Sequence, residues 1–181
     1  MDDAVRPTAC PEEPRPILQR IGLERRATLE RLYQLYRYDR SEYNNQEIND
    51  DGPFPHIDLG PYVDDPKDLP QFILMGEAIA GFALVNMQSH AYEGRTVKNL
   101  DDFFVLRRYR RSGVGFAAAR ALFATEPGLW QINKKTNNTP AMAFWQRVVG
   151  EITGGSFREY QGQGIHVHIF EVAAAEEAGP R

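Results

Sequence analysis

The chain has 181 residues, of which 42% are hydrophobic and 25% charged, and its formal net charge is −4. This length and balance predict one globular domain over residues 1–181, exclude a fibrous or disordered chain, and disfavour a general nucleic-acid binder. A single cysteine excludes an internal disulfide, and the lack of an apolar run long enough to cross a bilayer predicts a cytoplasmic protein with no membrane partner.

The N-terminal half is predicted to hold a helix, a long loop and a hairpin. Residues 1–15 are expected to form a flexible leader, and its proline-rich surroundings argue against Cys10 as a catalytic thiol. Apolar residues at helical spacing predict a helix over about 24–40. The Pro-, Gly- and Asp-rich segment 49–70 is long for a plain connection and is typical of a functional loop. Two apolar runs around a Gly-Glu pair predict a β-hairpin over 71–89.

The C-terminal half alternates strands and helices. The last helix is predicted to have Thr139 as its N-cap, Pro140 in its first turn and Gly150 just beyond its end. The order predicts a mixed α/β domain with antiparallel hairpins at both ends. The predicted elements are strands at 99–106, 129–135, 156–161 and 165–172, helices at 113–126 and 139–150, and a tail at 173–181.

The most informative stretch is FFVLRRYRRSGVGFAAARALF, in which a strand passes through four arginines into a glycine turn and a helix. The first N–H groups of a helix lack partners within it and carry partial positive charge. Gly113 and Gly115 permit a close backbone approach. Together with Arg110 and Arg111 they predict an anion site suited to phosphate oxygens. The first two arginines of the run are expected to form a solvated surface.

Two sequence patterns narrow the choice of phosphate compound. The turn lacks the Gly-Lys-Ser/Thr of triphosphate loops and the third glycine of the dinucleotide fingerprint. Arg110, Gly113 and Gly115 instead match Gln/Arg-x-x-Gly-x-Gly/Ala. Downstream, the pattern Asn-x-x-Ala-x-x-Phe-aromatic is matched by Asn138, Ala141, Phe144 and Trp145. With both patterns in order, the chain from about residue 16 to 172 resembles the GNAT superfamily of acetyl-CoA-dependent N-acetyltransferases.

The resemblance implies a fold and a cosubstrate. The fold is a central mixed, mostly antiparallel sheet flanked by helices and splayed between its fourth and fifth strands, with acetyl-CoA in the gap. Asn138 is then expected to contact the pantetheine or phosphate region, and a backbone N–H near Val105 to stabilise the oxyanion. The residues expected to pair with pantetheine are Phe104, Val105 and Leu106. Those expected to cradle the pyrophosphate are Arg110, Arg111, Ser112, Gly113, Val114, Gly115 and Phe116.

Acetyl transfer to an amine requires a neutral nitrogen, and only about 0.1% of a lysine-like amine is neutral at pH 7.5. A positioned carboxylate is the simplest base. Asp101 and Asp102 both lie on the predicted strand, and alternation places them on opposite faces, so at most one faces the acceptor. Asp102 is the candidate base, with a supporting carboxylate as the alternative.

The general acid has several candidates. The resemblance implies a tyrosine at position 145, but the residue there is Trp145, whose indole N–H cannot usefully protonate a thiolate. Water, Tyr109, Tyr160 or direct release of the thiolate are the alternatives. Trp145 is expected to pack against the cofactor pocket or in the core.

Two further features bear on function. His166 and His168 share one strand face, but with no third ligand nearby no metal site is expected. The acidic segment 49–70 either attracts a cationic amine or is simply solvated. We therefore expect direct transfer, in a ternary complex, to a small-molecule or peptidic amine by a monomer or homodimer. A non-catalytic acyl-CoA-binding module and a nucleic-acid binder using the arginine run are the rival interpretations.

Overall fold

The computed structural model describes residues 15–92 and 94–174, with side chains throughout except at 88–92. The predicted leader, with Cys10, lies outside these residues apart from residue 15, as does the predicted tail beyond residue 174.

The described chain folds around one seven-stranded sheet. The strands are β1 (Ile17–Arg20), β2 (Leu69–Met75), β3 (Ala78–Tyr92), β4 (Arg95–Val105), β5 (Gly128–Lys135), β6 (Phe157–Gly162) and β7 (Ile165–Val172). The α-helices are α1 (Arg26–Asn44), α2 (Gly60–Asp64), α3 (Val114–Thr125) and α4 (Thr139–Thr153), and 3-10 turns cover Leu23–Arg25 and Arg107–Tyr109. The strand order is β1-β2-β3-β4-β5-β7-β6. Only β4 and β5 pair in parallel, which confirms the predicted fold class.

The two faces of the sheet carry separate cores. On one face, α1 packs through Leu29, Leu32, Tyr33 and Tyr36, which follow helical spacing, onto the aromatic side chains of β3 and β4. On the other face, α3 and α4 cover a cluster centred on Trp130 of β5. Because both faces are covered, the ends of the central strands are the places where a ligand can reach the sheet backbone.

Most of the predicted elements are confirmed within a few residues, and the errors have local causes. The Gly76-Glu77 hairpin turn joins β2 to β3 as predicted. β1 was missed because its four residues alternate too briefly to stand out. Thr139 is not the N-cap of α4, since the Asn138 side chain accepts the Ala141 N–H. Nor does α4 end before Gly150: it continues to Thr153.

A β-bulge interrupts β4 at the two candidate carboxylates. Leu84 of β3 pairs with Asp102, but the next residue, Val85, pairs with Leu100, so Asp101 is the extra residue. A bulge resets the alternation of side chains. The prediction that the two aspartates occupy opposite faces is therefore wrong, because alternation was counted through a strand that is not regular.

The gap in the sheet is defined by where β4 and β5 stop pairing. Their last paired residues are Leu100 and Ile132, whereas β4 continues to Val105 and β5 to Lys135. Beyond that point each strand has an edge with no strand beside it. This is the predicted splay between the fourth and fifth strands.

One glycine controls how closely β3 and β4 approach beside the gap. A Cβ on Gly81 would collide with the Phe104 carbonyl oxygen, a backbone atom that cannot move cheaply. We expect Gly81→Ala to lower the free energy of unfolding by roughly 1–3 kcal/mol, measured by urea denaturation. Gly150→Ala is the control, since nothing lies within 4 Å of its Cβ position. Alanine is the better helix former by about 1 kcal/mol, so that variant should be more stable. Equal destabilisation by both would contradict the steric argument.

Candidate functional site

A cavity of about 110 Å³ opens at the gap between β4 and β5. Its walls come from the C-terminal part of α1, the ends of both strands and the start of α4. The residues that line it are Tyr36, Arg40, Tyr43, Leu100, Asp101, Phe103, Ile132, Asn133, Lys134, Lys135, Asn138, Ala141 and Trp145. Two of the predicted site residues, Asn138 and Trp145, are among them.

The β4 edge of the gap offers backbone groups in an alternating pattern. The Leu106 N–H donates to a carbonyl at the start of β3, over 2.8 Å. Since alternate residues of a strand direct their backbone groups to opposite sides, Phe104 also bonds toward β3, while Val105 and Phe103 face the gap. Of the three residues predicted to pair with pantetheine, only Val105 therefore faces the gap. The other residue that faces it is Phe103, which was not among the three.

The glycine turn ends at the open N-terminus of α3. Gly113 is the N-cap with φ of 84°, a left-handed conformation that favours glycine, and no described side chain caps the helix. The first helical bond runs from the Ala117 N–H to the Gly113 carbonyl, so the N–H groups up to Phe116 precede it. Val114 is buried in the sheet-facing core, and the Ser112 hydroxyl donates to the carbonyl three residues earlier. The predicted phosphate loop is thus a helix start whose first backbone N–H groups have no partner within the helix.

The first two arginines of the run, Arg107 and Arg108, are exposed, as predicted for a solvated surface. Arg107 Nη2 lies 2.9 Å from Asp39 Oδ1 on α1, and Arg110 forms an ion pair with the same carboxylate. Arg110 Nε also donates to the Val105 carbonyl over 2.6 Å. These two guanidinium groups therefore fix the end of β4 to α1. Arg111 is exposed, with φ of 61°, next to the helix start.

The two predicted sequence motifs lie in contact, and the second of them lines the cavity. A Cβ on Gly115 would lie in ordinary contact, 3.6 Å from Phe144 and from Val105. Trp145 is buried, with its ring centroid 5.2 Å from that of Phe103 on β4. It lines the cavity and belongs to the core.

Asp102, the candidate base, is buried against α1 and does not line the cavity. It accepts hydrogen bonds from the hydroxyls of Tyr33, at 2.8 Å, and Tyr36, and from Arg40, at 3.2 Å. Burial raises the pKa of Asp102, although these donors oppose that shift. The carboxylate is therefore held by three donors, two of which, Tyr36 and Arg40, line the cavity.

Asp101, the bulge residue, is exposed and lines the cavity directly. It accepts hydrogen bonds from the hydroxyl of Tyr62, on α2, and from Asn86 Nδ2 at 3.0 Å. The bulge thus places this carboxylate at the cavity. Alternation along a regular strand could not show which of the two carboxylates reaches the cavity.

The acidic segment is partly used for structure. Asp58 bonds Arg26 over 2.7 Å, and buried Asp68 accepts the Met87 N–H. Phe54 is buried beneath the Arg37 guanidinium. The segment reaches the site through α2, whose Tyr62 contacts Asp101.

A second cluster, which sequence reasoning did not assemble, begins at the β5 wall of the cavity. Lys134 Nζ lies 2.9 Å from His168 Nδ1 on β7. On the other side of the ring, His168 Nε2 lies 2.7 Å from Glu159 Oε1 and 3.0 Å from Gln146 Oε1. A lysine ammonium only donates and those two oxygens only accept, so His168 accepts at Nδ1 and donates at Nε2. The result is a hydrogen-bonded chain from the cavity to the surface.

The expectation that no third group lies near the two histidines is wrong. Glu159 pairs with His168 across the β6–β7 hairpin, and its carboxylate is 3.5 Å from His166 Nε2. The three ligand-type atoms lie within 4.8 Å of one another. Both ring nitrogens of His168 are already used by the hydrogen-bonded chain, and the ammonium of Lys134 belongs to it. We therefore assign no metal to this cluster.

Comparison with known proteins gives the family. The sequence profile described as "Acetyltransferase (GNAT) family" matches residues 29–150. The chain belongs to this family. A search of curated protein sequences found no match.

Solved structures share the fold at low sequence identity. An acetyltransferase from Thermus thermophilus has a TM-score of 0.63 and 16% identity, with 87% of this chain and 97% of that chain covered. Arabidopsis thaliana NAA60 in complex with acetyl-CoA has a TM-score of 0.54 and 12% identity, with 87% and 99% covered. The Escherichia coli ribosomal-protein-S18-alanine N-acetyltransferase has a TM-score of 0.55 and 12% identity, with 90% and 97% covered.

In the described parts of this chain, no helix has the length and apolar character needed to span a membrane.

Proposed function

We propose that the protein is an N-acetyltransferase that moves the acetyl group of acetyl-CoA to a primary amine in a ternary complex. The observation that carries this proposal is the gap between β4 and β5, which leads from the open helix start of α3 to the cavity. An extended pantetheine arm fits an unpaired strand edge, since it can exchange hydrogen bonds with the backbone groups of Phe103 and the Val105 N–H. The pyrophosphate then meets the backbone donors that begin α3.

The two ends of this gap support acetyl-CoA as the cosubstrate. At one end, several N–H groups and the exposed Arg111 favour an anion. At the other end, the cavity has aromatic side chains and a bordering carboxylate, and its volume of about 110 Å³ suits an acetyl group meeting an amine. A backbone N–H of Phe103 or Val105 is in place to stabilise the oxyanion of the tetrahedral intermediate.

The acceptor is proposed to be a small-molecule or peptidic amine. Asp101 borders the cavity, so it attracts an ammonium group and takes a proton from it, with Tyr62 holding the carboxylate in place. This proposal moves the base from Asp102 to the neighbouring bulge residue. Asp102 then positions Tyr36 and Arg40, which both line the cavity.

Two assays test the proposed function. Calorimetry measures binding of acetyl-CoA, and release of the CoA thiol is then followed with butylamine, spermidine and a tripeptide as acceptors. Binding together with acceptor-dependent thiol release is the expected result. Binding with no release by any of the three amines would favour the non-catalytic acyl-CoA-binding module. Absence of acetyl-CoA binding would reject the proposal.

The different roles proposed for Asp101 and Asp102 predict different effects when each is replaced by asparagine. Asp101→Asn should lower kcat by roughly 100-fold, since positioned bases contribute about 10²–10⁴-fold. Asp102→Asn leaves the buried hydroxyl donors around it poorly paired, so its main effect should be a lower melting temperature. If kcat falls by roughly 100-fold in Asp102→Asn and is unchanged in Asp101→Asn, the base is Asp102.

A further inference from the structure

We propose that Lys134, held in place by His168 and Glu159, is the group that protonates the departing thiolate of CoA. The inference rests on the proposed function and adds a catalytic residue to it. Position 145, where the GNAT resemblance places an acidic tyrosine, is occupied by Trp145, whose indole cannot serve. Another wall of the same cavity supplies a proton donor in its place.

The sheet geometry singles out Lys134. Trp130 and Ile132 face the core beneath α4, and alternation along β5 gives Lys134 the same direction. It is the first residue on that face beyond the last β4–β5 pair, which ends at Ile132. Lys134 therefore lines the cavity from the β5 side, while Asp101 lines it from the β4 side. An acid and a base on opposite walls suit a thioester placed between them.

The other donors around the cavity are less suited to this role. A guanidinium such as that of Arg40 does not release its proton in proteins. Burial raises the pKa of Tyr36 well above its usual range, and its hydroxyl already donates to Asp102. Lys135 follows Lys134 directly, so alternation turns it to the opposite face of β5.

The hydrogen-bonded chain keeps Lys134 charged but ready to lose a proton. Burial lowers the pKa of Lys134 to about 8, and the charge of Glu159 acts against that shift. Burial, followed by the charge of Lys134, lowers the pKa of His168 to about 4, so the imidazole stays neutral and accepts from the ammonium. A thiol has a pKa near 8.5, so the donor and the leaving group are nearly matched, which favours proton transfer.

The proposed acetyl transfer forms one bond, breaks one bond and moves one proton to sulfur. The amine nitrogen forms a bond to the acetyl carbon, and the carbon–sulfur bond breaks with its electron pair passing to sulfur. Lys134 gives its proton to the sulfur, which leaves as the CoA thiol. The amine nitrogen loses its proton to Asp101, which passes it through the cavity to neutral Lys134, so both groups return to their starting states. The charged or titratable groups facing Lys134 are His166, His168, Glu159, Tyr36, Arg40, Tyr43, Asp101 and Lys135.

A binding experiment tests the contact with sulfur without any acceptor. Calorimetry compares CoA with acetyl-CoA at pH 6.5 and 8.5 in the wild type, in Lys134→Met, and in Lys67→Met, which removes an exposed lysine outside the site. We expect CoA to gain affinity relative to acetyl-CoA by roughly tenfold at the higher pH, where the thiol ionises. Lys134→Met should lose that gain and keep its affinity for acetyl-CoA.

A kinetic experiment tests proton donation with the best of the three amines. The wild-type rate should fall above pH about 8 as Lys134 loses its proton. Lys134→Arg keeps the charge but cannot release a proton, so kcat should fall by roughly 100-fold and the alkaline limb should vanish. Glu159→Gln removes the charge that supports the ammonium, so the alkaline inflection should move to lower pH, a shift that a purely structural role would not produce.

The outcomes separate this inference from the proposed function. If the wild type does not bind acetyl-CoA, the proposed function fails and this inference fails with it. If acetyl-CoA binds normally and Lys134→Met shows the wild-type CoA response, only this inference is overturned. Acetylated Lys134 in peptide mass spectra after incubation with acetyl-CoA would also overturn it, since Lys134 would then be an acceptor.

Discussion

Replacing Gly113 by valine is expected to weaken acetyl-CoA binding by roughly 100-fold, a loss of about 2.7 kcal/mol. Gly113 has φ of 84°, which costs a β-branched residue roughly 1–3 kcal/mol. The chain relieves that strain by rearranging the start of α3, and the backbone donors then no longer converge on a pyrophosphate. Each such contact contributes only about 0.3–1 kcal/mol, so the predicted loss requires several of them to fail together.

Calorimetric titration with acetyl-CoA measures this effect, and a second glycine provides a matched control. Gly76, in the β2–β3 hairpin turn, has φ of 60° and nothing within 4 Å of its Cβ position. Gly76→Val carries comparable backbone strain away from the gap, so it should lower the melting temperature while leaving acetyl-CoA affinity unchanged. Undiminished affinity in Gly113→Val would remove the helix start from the proposed site.

The elements that sequence predicted well are those set by local pattern. The glycine turn and α4 were both visible in the sequence because a strand, a turn and a helix follow one another there without a long-range partner. The order of elements was also sufficient to predict the splayed sheet through the family resemblance. The structure then placed the two motifs in contact, with Gly115 beside Phe144.

The features that sequence could not supply depend on pairing between distant residues. The bulge at Asp101 exists only in the register of β4 against β3, so counting alternate residues gave the wrong face. The contact of Lys134 with His168 requires β5 and β7 to be neighbours, although 34 residues separate the two side chains. The acidic partner of Arg110 is Asp39 on α1, and no local pattern around the arginine run indicates it.

Lys134→Met is expected to lower activity and to remove the pH dependence of stability that the buried lysine confers. The pKa of Lys134 is lowered by burial from 10.5 to about 8, so the charged lysine destabilises the folded state by about 3 kcal/mol at and below pH 7. Between pH 8 and 10.5 the unfolded chain binds more protons than the folded one. The stability of the wild type should therefore rise with pH across that window.

The measurable quantity is the difference in free energy of unfolding between wild type and Lys134→Met, obtained from urea denaturation between pH 7 and 10.5. Methionine fills most of the lysine volume without a charge, but it leaves His168 Nδ1 without its donor, at a cost of about 1–3 kcal/mol. At pH 7 the two proteins should therefore have similar free energies of unfolding. As the pH rises, the wild type should gain about 3 kcal/mol relative to Lys134→Met. Lys67→Met controls for the lost net charge. A flat difference would mean that Lys134 is solvated in the folded protein. A sloping one, together with a fall in kcat, would show that a destabilising buried cation is kept where the thiolate departs.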